Sequence, residues 1–189
     1  GTCFTDPLGS RSIYKSTDGG ESWEQISLPV IYPSKFHFSE IVIAPSAPHI
    51  IYASSPQFEG VLKSIDGGNT WEYAIGGFLI IPDIRALTVD PYDSQVVYMG
   101  TSHQGLYKTT NGGAQWFAIG SGLQSSHISS IVIDPGTQQV IYVGGGDNPG
   151  TGIPGVYRSL DNTGLSFTPF MDGMGSRAIY SMVVDKNNP

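Results

Sequence analysis

The chain carries little charge, and most of the charge that it carries is negative. Only 13% of its 189 residues are charged, and nine Lys and Arg stand against 16 Asp and Glu, for a net charge of −7. Binding to nucleic acid requires a clustered basic surface, whereas the cationic residues here stand singly. We therefore predict that the chain has no nucleic-acid partner. Its apolar runs are also too short to cross a bilayer, so we expect no membrane insertion.

Residues that bind metals or form disulfides are equally scarce. Cys3 is the single cysteine, which rules out a disulfide within the chain. The four histidines lie in separate loops without a His-x-x-x-His pair, and this spacing argues against a zinc site. The glycine-rich segment 144–155 contains Asp147 and could offer oxygens to calcium, but a long hairpin loop accounts for it more simply. We predict no metal and no cofactor.

The chain does contain a short sequence motif, called the phrase below, which occurs four times at intervals of about 45 to 51 residues. The phrase joins a hydroxyl residue, an Asp or Asn, a glycine pair and a closing aromatic residue. Its shared positions are Ser16, Asp18, Gly20 and Trp23; Ser64, Asp66, Gly68 and Trp71; Thr109, Asn111, Gly113 and Trp116; and, in a degraded fourth copy, Asp161 and Phe167. A period of this length indicates a repeat architecture.

Each copy of the phrase has the chemistry of a tight turn between two strands. An Asp at the start of a turn can accept hydrogen bonds from backbone N–H groups nearby, and glycine adopts positive φ without a Cβ penalty. We therefore predict that Asp18 and Asp66 accept hydrogen bonds from their own turns and hold no ligand. The closing ring is a large apolar group, so we predict that Trp23, Trp71 and Trp116 are buried between neighbouring sheets.

The remainder of each repeat accommodates two further strands. A second strand carries a tyrosine, Tyr52, Tyr98 or Tyr142, at one recurring position, which indicates packing. Before it, nearly continuous apolar runs predict first strands that are covered on both faces, at 41–43, 87–89, 131–133 and 182–184. Four short strands per repeat are typical of propeller blades, so we predict an all-β propeller of four-stranded antiparallel blades.

The repeat makes the chain a single propeller segment spanning residues 1–189. The predicted blade phases are approximately 1–38, 39–83, 84–127 and 128–178, with 179–189 starting the next blade. Both termini could build one shared blade of a four-bladed ring. Alternatively, the chain is part of a longer propeller whose ring is completed by further blades or chains. We favour the longer propeller, because the shared blade would lack a central strand and leave an unpaired edge.

The pattern S/T-x-D-x-G-x-T/S-W resembles the Asp-box, or BNR repeat, of sialidases and related propellers, and it is complete at 16–23 and 64–71. The longer repeat from Val97 to Trp116 is most similar to xyloglucanase-type glycoside hydrolases, sortilin-like receptors and photosystem II assembly-factor propellers. This resemblance covers essentially the whole chain. In these families the box lies at the blade periphery, away from the ligand face, which implies a structural role for the boxes here.

The resemblance also implies where catalytic residues would stand. Sialidases hold their substrate with three arginines, and only Arg85 and Arg177 of the four here stand near an inner strand. Xyloglucanase-type enzymes carry an aspartate followed by Gly-Gly-x-Tyr-Arg after the second strand of a blade. The equivalent loops, 55–60 and 101–105, contain no aspartate. We therefore predict no catalytic residue in this stretch.

A ligand, if one binds, is expected at the loops around the propeller channel. These loops join second to third strands and fourth strands to the next first strand. Their ligand-face candidates are Tyr32, His37, Phe58, Glu59, Asp83, Arg85, His103, His127, Asp147 and Arg177. Aromatic rings beside charged groups suit a polysaccharide and a protein partner equally.

Two functions stay open on this basis. The leading hypothesis is a non-catalytic interaction propeller, secreted or surface-displayed, that binds a protein or polysaccharide in an extracellular, periplasmic or cell-surface location. The alternative is a fragment of a glycoside hydrolase, xyloglucanase-like or sialidase-like, whose catalytic acids lie elsewhere. The first leads because the regular scaffold carries no assembled catalytic set.

Overall fold

The fold is built from short antiparallel strands. The computed structural model describes residues 13–26, 28, 38–56, 60–136, 140–146, 150, 152–159, 161, 163–175 and 177–185. Within these ranges the chain forms no helix. Its strands make one two-stranded sheet and three four-stranded sheets, which we call the first to fourth blades in chain order.

The strands of each blade follow one another in sequence, and each pairs antiparallel with the next. The first blade contains β1 (Tyr14–Lys15) and β2 (Glu24–Gln25). The second contains β3 (Glu40–Ile43), β4 (Ile51–Ser55), β5 (Gly60–Ser64) and β6 (Glu72–Tyr73). The third contains β7 (Ile84–Val89), β8 (Val97–Thr101), β9 (Leu106–Thr109) and β10 (Phe117–Ile119). The fourth contains β11 (Ile128–Ile133), β12 (Ile141–Gly145), β13 (Gly155–Ser159) and β14 (Thr168–Pro169).

The prediction of an all-β propeller with four-stranded antiparallel blades is confirmed by the second, third and fourth blades. The recurring phrase lies between the third and fourth strands of each blade, and we call residues 16–23, 64–71, 109–116 and 159–167 the repeated turns. Because β1 and β2 flank the first repeated turn, they correspond to the third and fourth strands of the other blades.

Hydrophobic side chains fill three seams, each lying between two successive blades. The first seam is built around Ile13, Leu62 and Trp71; the second around Tyr52, Leu87 and Trp116; and the third around Tyr98, Ile131 and Phe167. Each seam thus contains one aromatic side chain from the repeated turn of the later blade, and we call this side chain the wedge. Among the described residues, no such cluster joins the fourth blade to the first.

The predicted burial of the indoles is confirmed at two positions. Trp71 is 8% exposed and Trp116 is 6% exposed. The Trp116 indole also crosses its seam, since its Nε1 donates a hydrogen bond of 2.8 Å to the carbonyl oxygen of Ala74 in the second blade. Phe167 is buried in the third seam in the same manner, so a phenyl ring can replace the indole as the wedge.

The predicted burial of Trp23 is wrong, because half of this side chain (50%) is exposed. Strand β3 was likewise expected to be covered on both faces, yet Ile41 and Ile43 are exposed. Both differences have one cause. A wedge residue is buried by the preceding blade, and the described residues supply neither a blade before the first nor inner strands for the first blade itself.

The apolar run 182–184 was predicted to be a first strand, and the structure contains no strand there. A first strand pairs with the second strand of its own blade, and no described residue supplies that partner. The segment nevertheless lies in register with a first strand. Ile179 lies against Gly144 as Ile128 lies against Gly100. Met182 N–H donates to Ser130 Oγ as Leu87 N–H donates to Glu40 Oε2.

The hydrogen bonds predicted for the repeated turns are present. Asp18 Oδ1 accepts the N–H of Ser22 at 3.0 Å, and Asp66 Oδ1 accepts the N–H groups of Asn69 and Thr70 at 3.0 and 2.9 Å. The hydroxyl groups of Ser22 and Thr70 also donate to the carboxylates of Asp18 and Asp66, and these bonds, together with the backbone bonds, hold the pKa of both groups well below the ordinary range. Asn111 occupies the same place in the third turn and accepts the N–H of Gln115.

Removing a buried wedge should cost far more stability than removing the half-exposed one. We expect Trp71→Ala or Trp116→Ala to lower the free energy of unfolding by roughly 3–5 kcal/mol, because each change empties a packed seam. Trp23→Ala should cost less than half as much. Urea unfolding measures both, and Phe117→Ala is the matched control for Trp23, since Phe117 is also half-exposed (51%). Equal losses for Trp23 and Trp71 would contradict the seam assignment.

Removing the carboxylate of a repeated turn should also lower stability, in a pH-dependent manner. The folded state depresses the pKa of Asp66, so its contribution is present above the ordinary aspartate pKa and is lost as pH falls through the folded pKa. We expect Asp66→Ala to lower the melting temperature at pH 7, and the gap to the wild type to narrow only in strong acid. Asp172→Ala is the control, because Asp172 is exposed and makes no hydrogen bond within the described residues. An unchanged melting temperature for Asp66→Ala would rule out this stabilising role.

Candidate functional site

The strand order separates the connections of each blade into two edges. In an antiparallel sheet, the turns between first and second strands and between third and fourth strands lie at one edge. The connections from β4 to β5, β6 to β7, β8 to β9, β10 to β11 and β12 to β13 lie at the other edge. This second edge, which we call the channel face, holds the described candidates Asp83, His103 and His127, and Arg85 follows Asp83 at the start of β7.

Main-chain hydrogen bonds fix the channel-face connections relative to one another. The N–H of Gly105, between β8 and β9, donates to the carbonyl oxygen of Ser126 ahead of the fourth blade. Within that blade, the N–H of Gly146 donates to His127, and the N–H of Ile153 donates to Gln124. These bonds link two blades at the channel face, so side chains on these connections are carried by a fixed backbone.

The structure brings Asp83 and Arg85 together with a third residue, Ser102. Arg85 Nη2 lies 2.8 Å from Asp83 Oδ2, and Arg85 Nε donates to Ser102 Oγ at 2.7 Å. Ser102 Oγ in turn donates to Asp83 Oδ2 at 2.7 Å, which closes the network. A register shift between Ile84 and Ala86 places Arg85 in a β-bulge, and bulges commonly re-aim a side chain in this way.

The other candidates are more dispersed. The imidazole of His127 covers Gly146, where an added Cβ would lie 2.9 Å from the histidine Nδ1. His103 and Arg177 are exposed. The remaining candidates, Tyr32, His37, Phe58, Glu59 and Asp147, lie outside the described residues. Two of the described candidates, Asp83 and Arg85, thus form one polar network with Ser102. The described candidates do not converge on a single pocket.

Sequence reasoning missed Glu40, a half-buried carboxyl group at the start of β3. Its Oε2 accepts the N–H of Leu87, and this bond joins the second blade to the third. Burial raises the pKa of Glu40, and the bond from Leu87 opposes that rise. The sequence did contain a signal, because Glu40 is a charged residue at the start of an otherwise apolar strand. The equivalent position in the third blade is occupied by the apolar residue Ala86.

Neither a metal centre nor a membrane span emerges from the described ranges. No three His, Cys, Asp or Glu side chains within them are grouped closely enough to hold a metal ion. The same residues include no helix with the length and hydrophobicity to cross a membrane. The channel-face network therefore stands as the candidate site.

Known proteins resemble this chain over part of their length. No protein-family model matches the chain. A xyloglucanase from a Paenibacillus species is 27% identical to it in an alignment 131 residues long, and this match covers 56% of this chain and 13% of that protein.

Three solved structures share its fold. A GH74 enzyme from Niastella koreensis has a TM-score of 0.69 at 23% identity, over 88% of this chain and 27% of that one. The GH74 xyloglucanase from Xanthomonas campestris has a TM-score of 0.59 at 18% identity, over 79% and 25%. YCF48 from Cyanidioschyzon merolae has a TM-score of 0.60 at 20% identity, over 95% and 55%.

These likenesses agree with the strand order described above. The chain is a β-propeller segment that resembles the propellers of xyloglucanases and of YCF48. It spans less than two thirds of the length of each of these four proteins.

Neutralising Glu40 should raise stability at neutral pH. Because folding raises the pKa of this carboxyl group, its contribution is fully present below the unfolded pKa and is lost as pH rises through the folded pKa. We expect Glu40→Gln, which keeps an acceptor for Leu87, to melt above the wild type at pH 7 and to converge with it near pH 4. Glu40→Ala removes the acceptor and should melt below Glu40→Gln at both pH values. A Glu40→Gln variant that melts below the wild type at pH 7 would contradict this account.

Proposed function

We propose that this propeller segment binds a polysaccharide at the channel face without cleaving it. The proposal rests on the Asp83–Arg85–Ser102 network, which holds a guanidinium, a carboxylate and a hydroxyl in fixed positions. Groups held in this way can exchange hydrogen bonds with sugar hydroxyls at little ordering cost. The likeness to xyloglucanases supports a glucan as the polysaccharide.

The hydrogen bonds of the described carboxylates support a binding role over a catalytic one. Glycoside hydrolysis generally requires two carboxyl groups flanking the scissile bond, one as acid and one as base or nucleophile. Asp83 Oδ2 already accepts hydrogen bonds from Arg85 and Ser102, and Glu40 accepts the N–H of Leu87. Both carboxyl groups are therefore already engaged in hydrogen bonds within the scaffold.

The alternative is that the chain forms part of a glycoside hydrolase whose catalytic acids lie elsewhere. The likeness to GH74 enzymes favours it, because this chain spans 27% of one such enzyme and 25% of another. In that case the channel face described here contributes to a substrate groove that other blades complete. For either role we place the protein outside the cytoplasm, in an extracellular, periplasmic or cell-surface location, because polysaccharides of this class are found there.

Binding to soluble xyloglucan tests the proposal directly. Affinity electrophoresis in gels with and without xyloglucan should retard the wild-type chain. Arg85→Gln should weaken the binding by roughly tenfold, because it removes the cationic member of the network. Arg177→Gln is the matched control, since Arg177 is an exposed arginine outside the network, and it should stay within about twofold of the wild type.

Two results would overturn the proposal, and they differ from one another. A wild-type chain that migrates identically with and without xyloglucan, while melting cooperatively, would exclude glucan binding and direct attention to a protein partner. Release of reducing ends that disappears in Asp83→Asn would instead establish catalysis by this stretch. A melting curve for each variant separates lost binding from lost folding.

A further inference from the structure

The third repeated turn differs from the other three at its acidic position. An asparagine, Asn111, stands where the other turns have Asp18, Asp66 and Asp161. Asn111 is also the only asparagine of the chain that is followed by a glycine. Such pairs readily lose the side-chain amide, because glycine has no Cβ to obstruct attack by its backbone nitrogen on the asparagine side chain. The third turn therefore contains a chemically reactive pair that the other turns lack.

In the closed turn, the two reacting groups are bound to different partners. Asn111 Oδ1 accepts the hydroxyl of Thr109 and the N–H of Gln115, both at 2.9 Å, and these bonds fix the side chain over its own turn. The nucleophile of the reaction is the backbone nitrogen of Gly112, and its N–H donates to the carbonyl oxygen of Gln95 at 2.9 Å. The nitrogen must lose this bond before it can attack the side chain. The closed turn therefore protects Asn111.

The second blade covers this nucleophile across the second seam. Gly112 is buried, and a Cβ placed on it would lie 2.2 Å from Lys63 Nζ and 2.4 Å from Gln95 Oε1. Lys63 Nζ donates to Gln95 Oε1 at 3.0 Å, so a lysine of the second blade holds the residue that binds Gly112. The hydroxyl of Tyr52 adds a bond to the carbonyl oxygen of Ser94, the residue before Gln95. The bond from Gly112 is therefore released when the second seam opens.

We propose that Asn111 is a site of spontaneous deamidation and that opening of the second seam controls the reaction. In the open turn, the backbone nitrogen of Gly112 attacks Cγ of Asn111 and the new C–N bond closes a succinimide ring. The side-chain amide leaves as ammonia, which takes the proton of the Gly112 N–H. Water then adds to either carbonyl of the ring and breaks one of its C–N bonds. The product is an aspartate or an isoaspartate at position 111.

The two products affect the third turn differently. An isoaspartate lengthens the main chain by one methylene group, so its carboxylate cannot accept the N–H of Gln115 as Asn111 Oδ1 does. An aspartate keeps the main chain and places a carboxylate near Lys63, in the way that Asp161 attracts the ammonium group of Lys108 in the third seam. Isoaspartate therefore marks permanently those molecules whose second seam has opened, whereas aspartate allows the seam to close again.

Peptide mapping by mass spectrometry measures the reaction at mildly alkaline pH, where the attacking nitrogen is more readily deprotonated. The peptide that contains Asn111 should gain the mass difference between an amide and a carboxyl group. The gain should be at least roughly tenfold faster in unfolding concentrations of guanidinium chloride than in the native chain, because the native turn reacts only when it opens. Asn69, an exposed asparagine followed by Thr70, is the control within the same molecule and should stay unchanged over the same period.

Two matched lysine variants test the role of the second seam. Lys63→Met removes the bond to Gln95 in the second seam, and Lys108→Met removes the equivalent bond to the carbonyl oxygen of Thr163 in the third seam. Under native conditions, Lys63→Met should accelerate the reaction at Asn111 by roughly tenfold, whereas Lys108→Met should stay within about twofold of the wild type. A melting curve for each variant ensures that both are measured as folded proteins.

Each of three results contradicts the proposal. Asn111 could keep its amide in the unfolded chain, which would exclude the modification site itself. It could react equally fast in the native and the unfolded chain, which would exclude protection by the closed turn. Lys63→Met and Lys108→Met could change the rate equally, or not at all, although both melt as folded proteins. That result would exclude control by the second seam.

Discussion

Burial between blades is the constraint on which this structure depends. A blade of four short strands has two faces, and it covers neither by itself. Each seam covers them with one wedge from the later blade, and the second and third seams add a tyrosine from the earlier blade, as Trp116 and Tyr52 show in the second seam. The lysine that crosses each seam adds a directed contact, so successive blades meet in one register. This register therefore fixes the relative positions of the connections at the channel face.

The sequence predicted the features that depend on local chemistry. The repeated turns could be predicted because Asp18 and Asp66 bond to N–H groups within four residues of themselves. Burial could not be predicted in the same way. Trp23 and Trp71 close two copies of the motif that share every defining position, yet only Trp71 is buried, because burial depends on the blade before it. Ile41 and Ile43 differ from Leu87 and Val89 for the same reason, although the sequence patterns match.

The candidate site was predictable only in part. Strand order placed Asp83 and Arg85 at the channel face. Their hydrogen bonds to Ser102, however, depend on the pairing of β7 with β8 and on a β-bulge that no sequence pattern predicts. Glu40 was missed because its partner is a backbone N–H in another blade, 47 residues away. Five candidates, among them Glu59 and Asp147, lie outside the described residues, and their roles stay predictions.

The intact first turn has a consequence for how the chain folds. Its internal hydrogen bonds are formed although no described residue covers its half-exposed tryptophan, so the turn can form without a packed seam. Hairpins of this kind close in microseconds, well before distant strands meet. Folding can therefore begin at any of the four hairpins and propagate to the neighbouring blades as one seam after another forms.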